Sequence, residues 1–329
     1  ENDDLYIDLN LSNSLQTNAN SRVECKFMQS ASQNILNSTN GYKMSIIRFA
    51  LNTESLPLFI PSMKSKTDTI YSFTMEYNGA IHQQYMVFEP QNVNPVDIDE
   101  YYYVYSYNYL IYLINNCLST CIKQVNSYAT IPIMEFDITT KRASLRLNTT
   151  QYGCNEANKV NVYMNYAMYA LFSSIPAYTV NKNSYGMDYQ MNTKTSIINN
   201  GSYILEQEYS TTALWNPISS VVFTSNTLPI YQSQTPPVQI YEDGKLLNNS
   251  SSYSFLNIIT DFVADNMEFV PYIQYAPGIY RYISLKPNVS IRDIDIQVYW
   301  LNKYTGKLKP LYIGVGGGCA IKLLLTKDF

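Results

Sequence analysis

Charge is scarce in this chain of 329 residues: Asp, Glu, Lys and Arg make up 15% of it, against roughly 25% in ordinary soluble domains. Histidine is scarcer still, with His82 alone. That leaves little material for imidazole-based acid–base catalysis or metal ligation. No Lys/Arg-rich arm is present, the formal net charge is −4, and the amino end Glu1-Asn2-Asp3-Asp4 is acidic. A protein that coats a genome directly needs cations to neutralise phosphates, so direct nucleic-acid binding is not expected. No signal peptide and no apolar run of membrane-spanning length is visible. Cys25, Cys117, Cys121, Cys154 and Cys319 are odd in number, scattered, and free of CxxC spacing. They read as reduced thiols of a protein made in the cytosol or nucleus, not as a disulfide framework.

What the chain has in abundance is tyrosine, with 32 residues. Its ring packs as an apolar body while its hydroxyl stays solvated, which suits a surface that is wet in a monomer and buried in an assembly. An AT-rich coding sequence explains the same excess equally well. The length suffices for one large all-β domain or two smaller ones, with no metal or disulfide staple needed.

The clearest β pattern runs from Arg281 to Leu325. In Ile291–Trp300, Ile294, Ile296, Val298 and Trp300 share one face, while Asp293, Asp295, Gln297 and Tyr299 share the other. A turn at Lys303-Tyr304-Thr305-Gly306-Lys307, a strand at Pro310–Ile313, the glycine run Gly314-Val315-Gly316-Gly317-Gly318 and a last strand at Ala320–Leu325 follow. Earlier in the chain, Leu5–Leu11 predicts an edge strand, and Arg22–Met28 and Tyr42–Leu51 predict further strands. Thr69–Tyr77 and Tyr85–Phe88 predict a hairpin turned by Asn78-Gly79. The pattern changes after Pro95: from Ser106, a candidate N-cap, apolar residues recur at helical spacing from Tyr109 to Val125. Pro132–Asp137 with Ala143–Leu147 predicts a second hairpin, and 165–172 a short helix. Strands resume from Tyr203, at Ser219–Thr224, Val238–Tyr241 and Ser254–Phe262. Many short strands with one helical interruption predict an all-β fold, a jelly-roll β-sandwich with a helix-containing insertion. The expected division is 1–94 as the first part of the jelly-roll core, 95–176 as the insertion, and 177–329 as the remainder of the core. A separate small domain in the middle is the alternative.

Candidate chemistry is thin. His82 has no Gly-x-Ser-x-Gly elbow or catalytic cysteine context, and reads as a polar residue on a hairpin strand. Gly314–Gly318 lacks the Gly-Lys-Ser/Thr ending of a phosphate loop and precedes a strand, so a bulge or tight corner is expected. Asp97-Ile98-Asp99-Glu100 and Asp293-Ile294-Asp295 place carboxylates two apart, on one face if they lie in strands. A solvated or subunit-facing strand edge is the plainer reading of both. Cys117 and Cys121, one helical turn apart, lack the His or Cys that would complete a metal site. Lys303, Lys307 and Lys309 form a basic hairpin tip. No catalytic, cofactor-binding or metal-binding residue is assigned, no cofactor is expected, and the reading is not that of an enzyme.

Three stretches carry a resemblance. The carboxyl-terminal block from Tyr280–Leu285 through Asp295–Trp300 to Cys319–Leu325, the pair Met44–Phe49 and Ser55–Pro61, and Trp215–Ser225 resemble penton-like minor capsid proteins of the Polinton, adintovirus and virophage group of double-stranded DNA viruses. The resemblance implies a capsid subunit of the virion, made in the host cytoplasm or nucleus. Five copies would form a homopentamer that closes the icosahedral vertex. Its neighbours would be a double-jelly-roll major capsid protein and other minor capsid proteins, with a host receptor possible at outward loops. A host-attachment or carbohydrate-binding β-sandwich of a spike, or another jelly-roll capsid protein, is the alternative, because tyrosine-rich loops stack on sugars.

Overall fold

The computed structural model describes residues 4–14, 22–92, 98–154, 156–182, 185–235, 239, 241–242, 245–246, 254–264 and 269–327. In chain order, β1 (Leu5–Ser12), β2 (Lys26–Ser30) and β3 (Tyr42–Asn52) come first. Next are β4 (Asp68–Tyr77), β5 (Ala80–Val87), α1 (Tyr107–Val125), β6 (Ile133–Asp137), β7 (Arg142–Asn148) and β8 (Asn161–Met164). They are followed by α2 (Tyr166–Leu171), β9 (Ala177–Lys182), β10 (Met187–Met191), β11 (Ile197–Asn199) and β12 (Ser202–Glu206). The chain ends with β13 (Ile218–Thr224), β14 (Ile258–Phe262), β15 (Tyr272–Tyr275), β16 (Asp293–Asn302) and β17 (Gly318–Lys327). Two compact units result, one from Glu1–Leu56 with Pro217–Phe329 and one from Pro57–Asn216.

The first unit holds two antiparallel sheets, ordered β1-β17-β3-β15 and β2-β16-β13-β14. Counted along this unit alone, its eight main strands stand in the orders 1-8-3-6 and 2-7-4-5. This is the strand order of a jelly roll, two Greek keys folded over one another. Alternation explains which faces turn inward. Ile294, Ile296, Val298 and Trp300 of β16 are buried as their period of two requires, and Ile321, Leu323 and Leu325 of β17 follow the same rule. In β3 the buried positions change parity, from Met44 and Ile46 to Phe49 and Leu51. The cause is a bulge: Lys322 pairs with Arg48 but Leu323 pairs with Ile46, so Ile47 is the extra residue. Phe49 thereby faces Phe223 of β13, with ring centroids 5.0 Å apart.

The second unit holds a five-stranded sheet, β9-β10-β8-β4-β5, and a four-stranded one, β11-β12-β7-β6. α1 lays Leu110, Leu113, Ile114, Cys117, Leu118 and Cys121 against β4, β5 and β6. Ser106 stands at the N-cap in an extended conformation, as expected, although its side chain makes no capping bond. The Asn78-Gly79 turn takes positive φ at both residues, 49° and 82°, which closes the β4–β5 hairpin with the twist that flanking strands demand. Trp215 ends the unit fully buried, its indole N–H donating to the carbonyl of Leu171 at 2.7 Å.

The division of the chain differs from the expected boundaries at 94/95 and 176/177. β4 and β5, expected in the jelly-roll core, join instead the sheet of β8, which β4 pairs, and present Phe73, Met75 and Met86 to the same core as α1. On the far side, β9 to β12 also belong to this unit. The connection between the third and fourth strands of the jelly roll is therefore a unit with its own core. An isolated fragment 57–216 is expected to fold alone, with a cooperative melt. Leu118→Ala within it should cost about 2–5 kcal/mol in chemical denaturation, because a fully buried leucine on the core face of α1 leaves a cavity.

Candidate functional site

The residues singled out for chemistry do not converge. His82 lies half-buried on β5, with Nε2 3.5 Å from Gln84 Oε1. Cys117 and Cys121 point from α1 at the adjacent sheet, where their thiols donate to the carbonyls of Gln84 (3.2 Å) and His82 (3.3 Å). Burial pushes both thiols well above the usual thiol range. Among the described residues no group of three or more His, Cys, Asp or Glu is placed to hold a metal. The glycine run is a corner: Gly316 has φ 82°, its N–H donates to Asn13 O at 2.7 Å, and a Cβ on Gly317 would come within 2.7 Å of Ile313 Cγ2. β17 follows it directly. The turn at 303–307 forms as expected, with Asn302 Oδ1 accepting from the N–H groups of Tyr304 and Thr305. Burial lowers the pKa of Lys303 there.

The acidic stretches part ways. Asp97 lies outside the described residues, and Asp99 and Glu100 sit in a 3-10 turn (Ile98–Tyr102), not on one face of a strand. Exposed Asp99 and buried Glu100 thus look in different directions. On β16, Asp293 is exposed, but Asp295 is only 4% exposed because the segment after β13 folds over it. Its Oδ1 accepts from Ser225 Oγ (2.7 Å), Thr227 Oγ1 (2.7 Å), Thr227 N (2.9 Å) and Asn226 N (3.1 Å). Burial by itself would raise the pKa, but the hydrogen bonds from Thr227, Ser225 and the backbone outweigh it and hold the carboxyl below its ordinary value. The Asn226 N–H also reaches Oδ2, at 3.2 Å, so the carboxylate is held by neutral donors from one segment. It is a clasp that fixes the end of β13 to β16.

What remains is surface. Among the described residues, β1 and β2 lie at one side of the jelly roll, and β14 and β15 at the opposite side. The β1/β2 side projects Tyr6, 54% exposed, and Met28, 70% exposed. Ion pairs hold Asp8 of β1 against Arg48 and Lys322, so its negative charge is offset there. The opposite side exposes Val263, Tyr272 (54%) and Tyr275. Between the sheets at that side lies a cleft of about 210 Å³, walled by Ile46, Phe49, Phe262 and Tyr275, with the ion pair Asp261–Arg281 among its lining residues. Phe262 and Tyr275 lie 4.7 Å apart between centroids, their rings tilted by 47°, and give that wall its aromatic character. The first of these sides was foreseen in the edge strand Leu5–Leu11. The second was missed, because Tyr272-Ile273-Gln274-Tyr275 is too short for its alternation to stand out between Pro271 and Pro277.

Comparison with known proteins matches residues 5–327 to the family model of the Sputnik minor capsid protein V18/19. Two proteins of Sputnik virophage are similar to this chain. "Uncharacterized protein V18" is 27% identical over 121 residues, 31% of this chain and 72% of that protein. "Structural protein V19" is 24% identical over 207 residues, 58% of this chain and 92% of that protein. A chain in the 3.5 Å cryo-EM structure of the Sputnik virophage superposes with a TM-score of 0.81 at 23% identity, covering 99% of this chain and 98% of its own. The crystal structure of the mavirus penton protein superposes with a TM-score of 0.70 at 18% identity, covering 99% of each chain. These likenesses extend over both units and agree with the jelly-roll fold.

The clasp at Asp295 gives a direct test. Asp295→Asn places an amide where four donors converge, and is expected to cost on the order of 3 kcal/mol in urea denaturation near neutral pH. The sign with pH follows from the depressed carboxyl: its contribution is present above the unfolded-state pKa and lost as pH falls through the folded one. Wild type and variant should therefore converge in stability as the pH drops below the ordinary carboxylate range.

Proposed function

The chain belongs to the Sputnik minor capsid protein V18/19 family, and on that footing we propose that it is the penton-like subunit of a virion, five copies of which close each icosahedral vertex. The observation that carries the reading is the pair of opposite, unlike sides of the jelly roll, one projecting Tyr6 and Met28 and the other offering the aromatic cleft beside Tyr272. A five-fold ring needs a heterologous interface, in which one side of each subunit meets the opposite side of the next. A sandwich with distinct apolar sides supplies both halves on one chain. The name of the mavirus protein, whose fold this chain shares over its whole length, supports the same reading. The role read here is structural, which the family's description as a minor capsid protein supports.

The remaining partners follow from that place in a capsid. A vertex ring is bordered by a major capsid protein, for which the resemblance implies a double jelly roll, and by other minor capsid proteins. Outward loops of the ring are the part available to a host receptor. Synthesis in the host cytoplasm or nucleus fits five cysteines that are all free thiols.

Light scattering of the purified chain across a dilution series is expected to give five times the monomer mass, with ring-shaped particles in electron micrographs. Met28→Lys and Tyr272→Lys each put a charge into one half of the interface, and each should shift the mass toward monomer while leaving the melting temperature of the dilute protein within a few degrees. A trimer, or variants that assemble as wild type does, would overturn the reading of these two sides.

A further inference from the structure

β2 is an outer strand of its sheet, paired with β16 on one side. Its register decides which side chains turn inward. Phe27 lies opposite Ile296 and is 1% exposed in the core, so Lys26, Met28 and Ser30 take the other face. Met28 there lies opposite Asp295 and stays 70% exposed, an apolar side chain left largely uncovered by its own chain. Lys26 stands two residues away on the same face, about 7 Å along the strand. It joins no ion pair among the described residues.

The outer strand at the opposite edge of the same sheet is β14, and the order is β2-β16-β13-β14. β14 and the residue after it supply Thr260, Asp261, Phe262 and Val263 to the cleft. Phe49 stands 5.1 Å from Phe262 and 5.6 Å from Tyr275 between ring centroids, so three aromatic rings converge on a space of about 210 Å³. That is room for an unbranched thioether side chain. Asp261 meets Arg281 through Oδ1 at 3.3 Å, and its carboxylate is 55% exposed. The lining thus joins an apolar hollow to an accessible anion.

Resting on the vertex reading above, we propose that Met28 of one copy seats in the aromatic cleft of the next, while Lys26 beside it pairs with Asp261, a two-point contact that sets the register of the ring. In a head-to-tail closure the β2 edge of each subunit meets the β14 edge of its neighbour. The occupant is a second copy of this chain because the apolar side chain and the cation that the cleft and the carboxylate require stand together on one strand, at the far edge of the sheet whose β14 walls the cleft. Tyr6, the other large side chain exposed on that side, belongs to the other sheet, and its ring already lies 5.6 Å from Lys322 Nζ. Methionine suits the place: its chain bends to fill an irregular gap, and its sulfur favours ring edges. An anchor in a pocket supplies the binding, and the ion pair beside it supplies the choice of partner and register.

The test uses the full chain. Lys26→Asp and Asp261→Lys each set like charges against one another across the contact. Each is expected to raise the concentration at which light scattering finds the assembly half dissociated by on the order of tenfold. The double variant restores the pair with its signs exchanged, and its midpoint should return close to that of wild type. In a second measurement, Met28→Cys and Val263→Cys are combined in one chain and treated with a short bis-maleimide, to which the five buried native cysteines are shielded. A ladder of linked chains reaching the pentamer is expected on a denaturing gel, and neither single variant should give one. Charge variants that assemble as wild type does, a double variant no better than either single one, or assembled particles that give no ladder would overturn this contact while leaving the five-copy reading in place. A ladder that stops at three chains would keep the contact and overturn the five-fold ring. A chain that stays monomeric at every concentration and gives no ladder would overturn both.

Discussion

The placement of β17 between β1 and β3 is the constraint on which the first unit depends. Leu325 is paired with Leu5 on one side and Met44 on the other, so the sheet has no interior until the end of the chain arrives. Such pairing is as non-local as a chain of this length permits, and non-local pairing must meet its loop-closure entropy before any contact rewards it. A middle segment with its own core lightens that burden. Once 57–216 has folded, it joins the ends of β3 and β13 as a compact body in place of a long flexible loop.

Polar residues inside this framework serve closure and not reaction. Asp295 looked like half of a carboxylate pair, yet it is held by Ser225, Asn226 and Thr227, chiefly through Oδ1. Asn13 plays a similar part at the glycine corner, its side-chain amide donating to Ile313 O at 3.0 Å while its backbone meets Gly316 and Gly317. In both places a segment without strand partners covers the end of a long strand, and buried backbone groups there need donors and acceptors from somewhere. These side chains supply them.

Much of this was legible in the sequence where a signal is local. Alternation marked β16, Asn78-Gly79 marked its hairpin, and helical spacing marked α1, because each depends only on neighbours along the chain. Two features were not legible for the same physical reason in reverse. The bulge at Ile47 depends on the register of β17, some 270 residues away in sequence. The assignment of β4 and β5 to a second core depends on which sheet their apolar face finds, and Phe73, Met75 and Met86 would suit either. The candidate surface was half legible: Leu5–Leu11 read as an edge, whereas the cleft beside Tyr275 is assembled from β3, β14 and the segment after β15 and exists only once both sheets have closed.

An open sandwich, unlike a closed barrel, leaves strand edges, and natural proteins guard such edges with charge, proline or short strands. The two sides of this jelly roll are guarded unequally. β1 runs eight residues and carries Asp8, but Arg48 and Lys322 neutralise it, and Lys322 also sits 5.6 Å from the ring of Tyr6. β15 carries no charge at all, yet it is four residues long and stands between Pro271 and Pro277, so it offers few free backbone groups. Adhesion at that side must come from side chains and shape, not from adding a strand to the sheet. Backbone pairing is promiscuous, and a side whose outer strand is short and bounded by proline does not invite open-ended sheet extension.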